Sequence, residues 1–286
     1  MIIDAETNKL FLSDLLPIKF PNSFSDFEKL LHEQNVSFSF LPNTKDIWAV
    51  DFMPIQINEN KFVQFDYSPD YLRNFKKWSK TISDVDAICS AINIYPKKSN
   101  IRLDGGNAVK SSEVVILCDK IFKENEHLTK TQIKNELENL FQTTQIIFIP
   151  TELKDIIGHA DGVVRFLNNH TVLVNDLPKS NYKNELIKSL ENAGFVIVWV
   201  PYNPFNNKTF LDANGVYINY LEMEKIVILP LYNLKEDEKC IRLFEQLFPS
   251  KIIKGINCCE LAKLGGILNC ISWNIKGICY KCSCTT

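Results

Sequence analysis

Five polar residues recur along the chain at nearly constant intervals. They are Asp51, Asp104, His159, Asn214 and Cys270, and successive members are 53, 55, 55 and 56 residues apart. A guanidinium ion is planar, permanently charged and rich in N–H donors, so a site that binds it needs carboxylates that each accept two hydrogen bonds. Attack on its central carbon needs a strong nucleophile, and a thiolate is the best that side chains offer. Together these residue types predict covalent chemistry on a guanidinium group.

Each residue type suits one part of that chemistry. Asp51 and Asp161 are the candidates for holding the cation, and Cys270 is the candidate nucleophile. His159 changes charge near neutral pH, so it is the candidate that protonates departing ammonia and later takes a proton from water. Asp104 is expected to hold one ring nitrogen of His159, which fixes the orientation of the ring and raises its basicity.

Neighbouring residues also point to a ligand site. Asn214 is expected to position the substrate or a water molecule. Trp48 is expected either in the core or in a pocket wall, where its ring face would cover a cation. Glycines accompany the candidates and let the backbone turn sharply close to a ligand. These glycines are Gly105, Gly106, Gly158, Gly162, Gly265 and Gly266.

Every candidate also has an ordinary structural interpretation. A cysteine in an apolar segment, such as Cys270 taken alone, is commonly an inert core residue. Asp51 and Asp104 taken alone are typical turn carboxylates, and His159 alone is compatible with a structural role. The shared interval favours the functional interpretation, because five coincidences at one spacing would otherwise be needed.

The interval also predicts the architecture. Before each of the five residues the chain shows an amphipathic helix, an apolar strand and a turn, which indicates one unit of about 55 residues repeated five times, as in a propeller or array. The clearest helices are expected at 131–141 and 181–193, and a helix with a capping box is expected to begin at Ser23. The units use nearly the whole length, so residues 1–286 are expected to form a single domain with a flexible tail at 275–286.

Composition limits the partners. The net charge is −2, and the 32 lysines and arginines are dispersed, which argues against a nucleic acid or a membrane surface as partner. A hydrophobic fraction of 45% supports a sizeable core. The chain shows no basic leader followed by an apolar stretch and no run long enough to cross a bilayer. We expect a soluble, cytoplasmic protein whose partner is a small cationic guanidino compound.

The nine cysteines are typical of reduced thiols. Their number is odd, and Cys118 and Cys240 lie in apolar segments, which does not suit a secreted disulfide framework. Cys279, Cys282 and Cys284 have a spacing that a zinc site can use, but no second cluster with suitable spacing completes one. A reduced tail is therefore favoured, and neither a metal nor another cofactor is expected.

The residues described above resemble the guanidino-group-modifying enzymes, and most closely the branch of agmatine deiminases and bacterial-type peptidylarginine deiminases. The resemblance covers about residues 40–275. It rests on Trp-x-x-Asp-x-x-Pro at 48–54, an acidic residue before Gly-Gly-Asn at 104–107, Gly-His-x-Asp-Gly at 158–162, the pair Asn214 and Asn219, and a Gly-Gly segment that ends in cysteine at 265–270.

This resemblance implies an α/β fold, a five-bladed pseudo-symmetric α/β propeller with its site on the pseudo-axis. It also implies hydrolysis of a guanidine to a ureido product and ammonia, without metal or organic cofactor. In the implied mechanism Cys270 attacks the guanidinium carbon, His159 protonates the departing ammonia, and water resolves the covalent amidino-thioether. Asp51 and Asp161 hold the cation throughout.

Three positions depart from the family pattern. Its agmatine deiminases usually have Arg before the first Asp, a Thr-Gly pair after it, and His before the Cys. The corresponding residues here are Val50, Phe52-Met53 and Asn269. The expected substrate is therefore agmatine, arginine or a related small guanidine. Two alternatives stay open, an amidinotransferase and a catalytically silent guanidine-binding protein.

Overall fold

The computed structural model describes residues 1–277 except residues 75, 77, 154, 206 and 210. Its strands form five separate three-stranded sheets, or blades, with the orders β15-β1-β2, β3-β4-β5, β6-β7-β8, β9-β10-β11 and β12-β13-β14. The strands are β1 (Lys9–Ser13), β2 (Phe38–Leu41), β3 (Ile55–Asn58), β4 (Lys61–Asp66), β5 (Lys97–Arg102), β6 (Val109–Lys110), β7 (Val114–Cys118), β8 (Gln145–Ile149), β9 (Val164–Asn168), β10 (Thr171–Asn175), β11 (Val196–Val200), β12 (Leu221–Glu222), β13 (Ile226–Leu231), β14 (Ile252–Asn257) and β15 (Ser272–Ile275).

All five blades have the same construction. The middle strand pairs antiparallel with one neighbour and parallel with the other. A parallel partner requires a crossover, and a helix supplies it in every blade. This arrangement is a five-bladed α/β propeller, which confirms the predicted fold.

The described helices are α1 (Leu16–Lys19), α2 (Pro21–Glu33), α3 (Ala49–Phe52), α4 (Asp70–Arg73), α5 (Val85–Ala91), α6 (Lys120–Glu124), α7 (Lys130–Phe141), α8 (Asn181–Asn192), α9 (Glu236–Leu247) and α10 (Leu268–Ile271). Short 3₁₀ turns lie at Asp4–Glu6, Ser79–Thr81, Gly105–Asn107, Ala160–Gly162 and Leu261–Leu264. None of the helices in the described ranges is long and apolar enough to span a membrane.

Helix α7 shows why these crossovers form. At its N-terminus the Thr129 side chain accepts from the Gln132 backbone N–H, and the Gln132 side chain accepts from the Thr129 backbone N–H, so two otherwise unpaired donors are satisfied. The apolar residues of α7 fall on one face and are fully buried, namely Ile133, Leu137, Leu140 and Phe141. Each such side chain stabilises the fold by about 1.5–3 kcal/mol relative to exposure.

Three of the middle strands, β7, β10 and β13, are buried on both faces. In β7, Val115 and Leu117 belong to the core cluster that includes α7, whereas Val114 and Ile116 belong to the next cluster, which includes α8. Successive side chains of a strand point to opposite faces, so one strand joins two cores. This packing explains why β7, β10 and β13 contain apolar runs without alternation.

The first blade joins both ends of the described chain. Strand β1 pairs with β2 and also with β15, and Phe11 lies opposite Trp273. The tail predicted at 275–286 therefore begins too early, because Ile275 ends β15 and the backbone N–H of Lys276 donates to Gln56 Oε1 at 2.8 Å. The tail cysteines Cys279, Cys282 and Cys284 lie outside the described residues. The six described cysteines form no disulfide.

Candidate active site

Short helical turns carry the candidate residues to the centre of the ring. In each case the turn follows the outer strand of a blade and leads into the next blade. Asp51 lies in α3, Asp104 directly precedes the turn Gly105–Asn107, His159 directly precedes the turn Ala160–Gly162, and Cys270 lies in α10. These turns pack against one another, so residues distant in sequence become neighbours.

His159 lies between two carboxylates. Its Nε2 is 2.8 Å from Asp104 Oδ2, and its Nδ1 is 3.4 Å from Asp51 Oδ1. Burial alone would favour the neutral ring, but the negative charges of Asp51, Asp104 and Asp161 outweigh it and raise the pKa of His159 to about 10. These carboxylates therefore favour the protonated form of the imidazole.

Two asparagines hold Asp161. Asp161 Oδ2 accepts hydrogen bonds from Asn269 Nδ2 at 2.6 Å and from Asn219 Nδ2 at 3.0 Å. Burial raises the pKa of Asp161, while His159 and these amide donors oppose the rise. With Oδ2 occupied by the amides, Oδ1 is the oxygen that remains for a ligand.

The thiol of Cys270 lies beside this carboxylate. Its Sγ is 3.5 Å from Asn219 Oδ1 and 3.9 Å from Asp161 Oδ2. Burial raises the pKa of the Cys270 thiol well above its usual range, and the charges of Asp161 and Asp51 raise it further. A cation bound between these groups would reverse the second effect and favour the thiolate.

Asp51 completes the group. Its Oδ1 accepts a hydrogen bond from the backbone N–H of Gly106 at 3.1 Å. Burial raises the pKa of Asp51 to about 8, against the influence of the His159 charge. The buried carboxylates thus oppose one another's ionisation, and a positive charge placed among them would relieve this repulsion.

Two glycines let the turns approach this closely. A Cβ on Gly106 would lie 2.6 Å from Asp51 Oδ1 and 2.8 Å from His159 Nδ1. A Cβ on Gly266 would lie 2.3 Å from a ring carbon of Trp48. Neither position has room for a side chain, so the predicted need for glycine has a steric cause at both.

A cavity of about 340 Å³ opens above these groups. His159, Asp161, Asn219 and Cys270 lie in its lining. The surrounding wall is rich in acceptors and aromatic rings and includes Glu152, Asp155, Tyr182, Tyr202, Asn207 and Asp212. Gly162, Gly265 and Gly266 also line it. Its volume and its acidic lining suit a small cation with an attached chain.

The remaining candidates lie near this centre. Trp48 is half-buried: it packs against the largest core cluster, and its ring lies behind Gly266, which lines the cavity. Its role as a pocket wall that covers a bound cation stays a prediction. A Cβ on Gly105 would meet the Val50 carbonyl oxygen, and the backbone N–H of Gly158 donates to Asp155 Oδ1. Among the described residues, no group of three His, Cys, Asp or Glu side chains is arranged to bind a metal ion.

The asparagine that contacts the centre is not the one that the interval selected. Asn214 lies between Tyr202 and Val216, which pair with each other in an isolated β-bridge. Its backbone oxygen accepts a hydrogen bond from Asn207 Nδ2 at 3.4 Å. Asn219, five residues later, contacts Asp161 and Cys270. The motif pair contained both asparagines, and the role of Asn214 in positioning the substrate or a water molecule stays a prediction.

Sequence reasoning also missed Tyr71. Its hydroxyl donates to Asp104 Oδ2 at 2.9 Å, and its ring lies 6.2 Å from the His159 ring between centroids. Tyr71 lies in α4, in the crossover from β4 to β5, and not in one of the turns that recur with the interval, so no spacing rule selects it.

The protein is thus a five-bladed α/β propeller in which a cysteine, a histidine and several carboxylates meet at the centre of the ring. Residues 20–275 match the model of the Porphyromonas-type peptidyl-arginine deiminase family, and the chain belongs to that family. Agmatine deiminase of Medicago truncatula is 24% identical over 208 residues, covering 60% of this chain and 54% of that protein. Relatives from Listeria monocytogenes and Legionella pneumophila are matched over 63% and 53% of their own lengths.

Solved structures share the fold over nearly the whole chain. The agmatine deiminase of C. jejuni superimposes with a TM-score of 0.80 at 21% identity, covering 97% of this chain and 96% of that one. An amidinotransferase from Microseira wollei superimposes with a TM-score of 0.64 at 14% identity, covering 95% and 94% of the two chains. The same propeller therefore occurs in proteins described by two different reactions.

Proposed function

We propose that this protein hydrolyses the guanidinium group of agmatine, or of a related small guanidine, to a ureido product and ammonia. The observation that carries the proposal is the convergence of Cys270, His159 and Asp161 at one cavity, with Asp51 and Asp104 on the two sides of His159. Relatives that are described as agmatine deiminases support the choice of substrate.

Binding is driven by the buried acids. Asp51 and Asp161 accept the N–H donors of the planar cation, and forked pairs of this kind are among the strong hydrogen bonds of proteins. The entering positive charge favours ionisation of Asp51, whose pKa is about 8 in the empty site. It also lowers the pKa of the Cys270 thiol, so the substrate helps to generate its own nucleophile.

The first chemical step forms a covalent intermediate. Cys270 Sγ attacks the guanidinium carbon and forms a C–S bond, which makes that carbon tetrahedral. His159 gives a proton to the departing nitrogen, the C–N bond breaks, and ammonia leaves. An amidino-thioether on Cys270 remains, with its planar cation still held by the carboxylates.

The second step uses water. His159, now neutral, takes a proton from a water molecule whose oxygen attacks the same carbon. The C–S bond breaks, the sulfur leaves as thiolate, the remaining proton of the water passes to solvent, and the neutral ureido product is released. Asp104 holds Nε2 of His159 during both proton transfers, so the same ring serves first as acid and then as base.

Amidinotransfer is the second candidate, because a structural neighbour is described as an amidinotransferase. It shares the covalent intermediate and differs only in the acceptor, an amine in place of water. Adding an acceptor amine separates the two: a new guanidine indicates transfer, and a ureido product at the rate without amine indicates hydrolysis.

The test is a substrate panel. Purified protein is incubated with agmatine, arginine, methylated arginines and arginyl peptides, and ammonia and ureido product are measured together. We expect equal amounts of both products from at least one small guanidine, and none from Cys270→Ala or His159→Ala. Ammonia release that survives either substitution would refute the mechanism.

A silent binding protein is distinguished by labelling. A haloacetamidine resembles guanidinium and alkylates a thiol that lies beside the cation site. Mass spectrometry that shows ligand binding without an adduct on Cys270 would favour the silent protein over the hydrolase.

A further inference from the structure

The Asp104 carboxylate makes both of its side-chain contacts, to His159 and to Tyr71, through one oxygen. Asp104 Oδ2 lies 2.8 Å from His159 Nε2 and accepts a hydrogen bond from the Tyr71 hydroxyl at 2.9 Å. Asp104 Oδ1 is buried and has no hydrogen-bond partner among the described residues. Tyr71 and His159 are therefore the two donors that fix the orientation of this carboxylate.

Tyr71 is itself held in place by a buried ammonium group. Lys120 Nζ lies 4.7 Å from the centroid of the Tyr71 ring and 3.1 Å from Asp70, the neighbour of Tyr71 in α4. The same ammonium donates to the carbonyl oxygens of Ile156 at 2.9 Å and Ile157 at 2.7 Å. These carbonyls precede Gly158 and His159, so Lys120 connects α4 to the loop that delivers the imidazole.

We propose that Tyr71 is a positioning residue for the reaction: its hydroxyl orients the Asp104 carboxylate, and through Asp104 it aligns the His159 ring for proton transfer. The hydroxyl of Tyr71 is bound to Asp104, so it acts on the ring through that carboxylate. The role of the aligned ring rests on the function proposed above, whereas the alignment itself is a property of the resting protein.

Loss of the Tyr71 hydroxyl is expected to slow the reaction because the Asp104 carboxylate gains a second orientation. With the hydroxyl removed, the carboxylate of Asp104 keeps one donor and can rotate about its Cβ–Cγ bond while still contacting His159. Proton transfer is sensitive to misplacement of the acid, whereas binding of the cation by Asp51 and Asp161 is not affected. The expected result is a loss in kcat without a matching change in KM.

The experiment compares Tyr71→Phe with Tyr217→Phe. Tyr217 is a matched control because it is fully buried and its hydroxyl also donates to a carboxylate, Asp237 Oδ1, at 2.6 Å. We expect Tyr71→Phe to lower kcat about tenfold with KM within about twofold, as for partial loss of acid–base catalysis. Tyr217→Phe is expected to lower thermal stability and leave kcat unchanged.

A second measurement is independent of turnover. The Nε2 proton of His159 is observed by NMR in the resting protein and assigned by its disappearance in His159→Gln. We expect its chemical shift to move in Tyr71→Phe and to stay in Tyr217→Phe. An unchanged signal in Tyr71→Phe overturns the proposal, and so does a changed signal with unaltered kcat or equal kcat losses in both variants. If the wild type releases no ammonia, the proposed function fails, and the NMR comparison alone decides this inference.

Discussion

Asp51 and His159 face each other across the backbone of Gly106. Asp51 Oδ1 is 3.4 Å from His159 Nδ1, and a Cβ on Gly106 would lie within 3 Å of both atoms. The contact therefore requires that a third turn, from another blade, carries no side chain at this point. The Asp51 carboxylate and the His159 imidazole can approach each other because Gly106 has no Cβ.

The first prediction follows from this contact. In Gly106→Ala the new methyl group must displace Asp51 or His159, so we expect kcat/KM to fall at least about 100-fold, as for other misplaced catalytic groups. Gly194→Ala, which lies outside the cavity lining, is the control, because its Cβ would meet no atom within 4 Å. Steady-state kinetics on both variants, with circular dichroism to verify folding, checks this. Equal losses in the two variants would contradict it.

The second prediction concerns Asp104. Asp104→Asn keeps the size of the side chain and removes the charge that helps to raise the pKa of His159. His159 then loses its proton at a lower pH, so the alkaline limb of the kcat profile moves to lower pH, and kcat falls by about 100-fold. Asp176→Asn, which removes an exposed partner of Lys183, is the control. Coinciding alkaline limbs in the wild type and Asp104→Asn would count against the assignment.

The third prediction concerns stability and pH in the substrate-free protein. The pKa of His159 is raised from 6.5 to about 10, so its contribution to stability is fully present below pH 6.5 and is lost as the pH rises through 10. The pKa of Asp51 is raised from 3.8 to about 8, so the folded state retains a proton that the unfolded state releases, and stability falls across that range as well. Both effects have the same sign between pH 6.5 and 8.

We therefore expect the melting temperature to fall by several degrees between pH 6.5 and 9.5. The double variant Asp51→Asn/His159→Gln removes both groups and should show a clearly weaker dependence. Differential scanning calorimetry across this range measures the effect. A wild-type protein whose melting temperature rises with pH, or a double variant with the same slope, would show that the sign is wrong.

The fourth prediction tests the residue before the nucleophile. Asn269→Ala removes the 2.6 Å hydrogen bond to Asp161 Oδ2. A hydrogen bond to a charged group contributes about 1.5–3 kcal/mol, so we expect the affinity for the cation to weaken by roughly tenfold or more. Titration calorimetry of agmatine into Cys270→Ala with and without the second substitution isolates binding from turnover. Unchanged affinity would mean that Asn219 alone suffices to hold Asp161.

Much of this site could be predicted from residue types and spacing. Asp51, Asp104, His159 and Cys270 come together because each unit delivers one turn to the axis, and a repeated interval in sequence reports that geometry directly. The fold followed from the same signal, since helices and strands recur with the interval. Helix α7 was predicted to within one residue because its cap and its apolar face agree.

Other features depend on contacts that spacing does not encode. The interval pointed to Asn214, which lies in the segment closed by the bridge between Tyr202 and Val216. Asn219 follows this bridge in the sequence and is the asparagine that contacts Asp161. Ser23 was expected to cap a helix, whereas α2 begins at Pro21 and the Ser23 hydroxyl contacts Glu260, 237 residues away. Tyr71 has no counterpart in the repeat, so only its tertiary contact with Asp104 identifies it.

The pairing of β1 with β15 has a consequence for synthesis on the ribosome. The first blade lacks strand β15 until residues 272–275 have been synthesised, so the ring of five blades is incomplete until then. Cys270 lies just before that strand and is made after every acidic group and the imidazole that would activate it. A nascent chain thus contains the carboxylates and the imidazole before it contains Cys270, and β15, which completes the first blade, follows directly after Cys270.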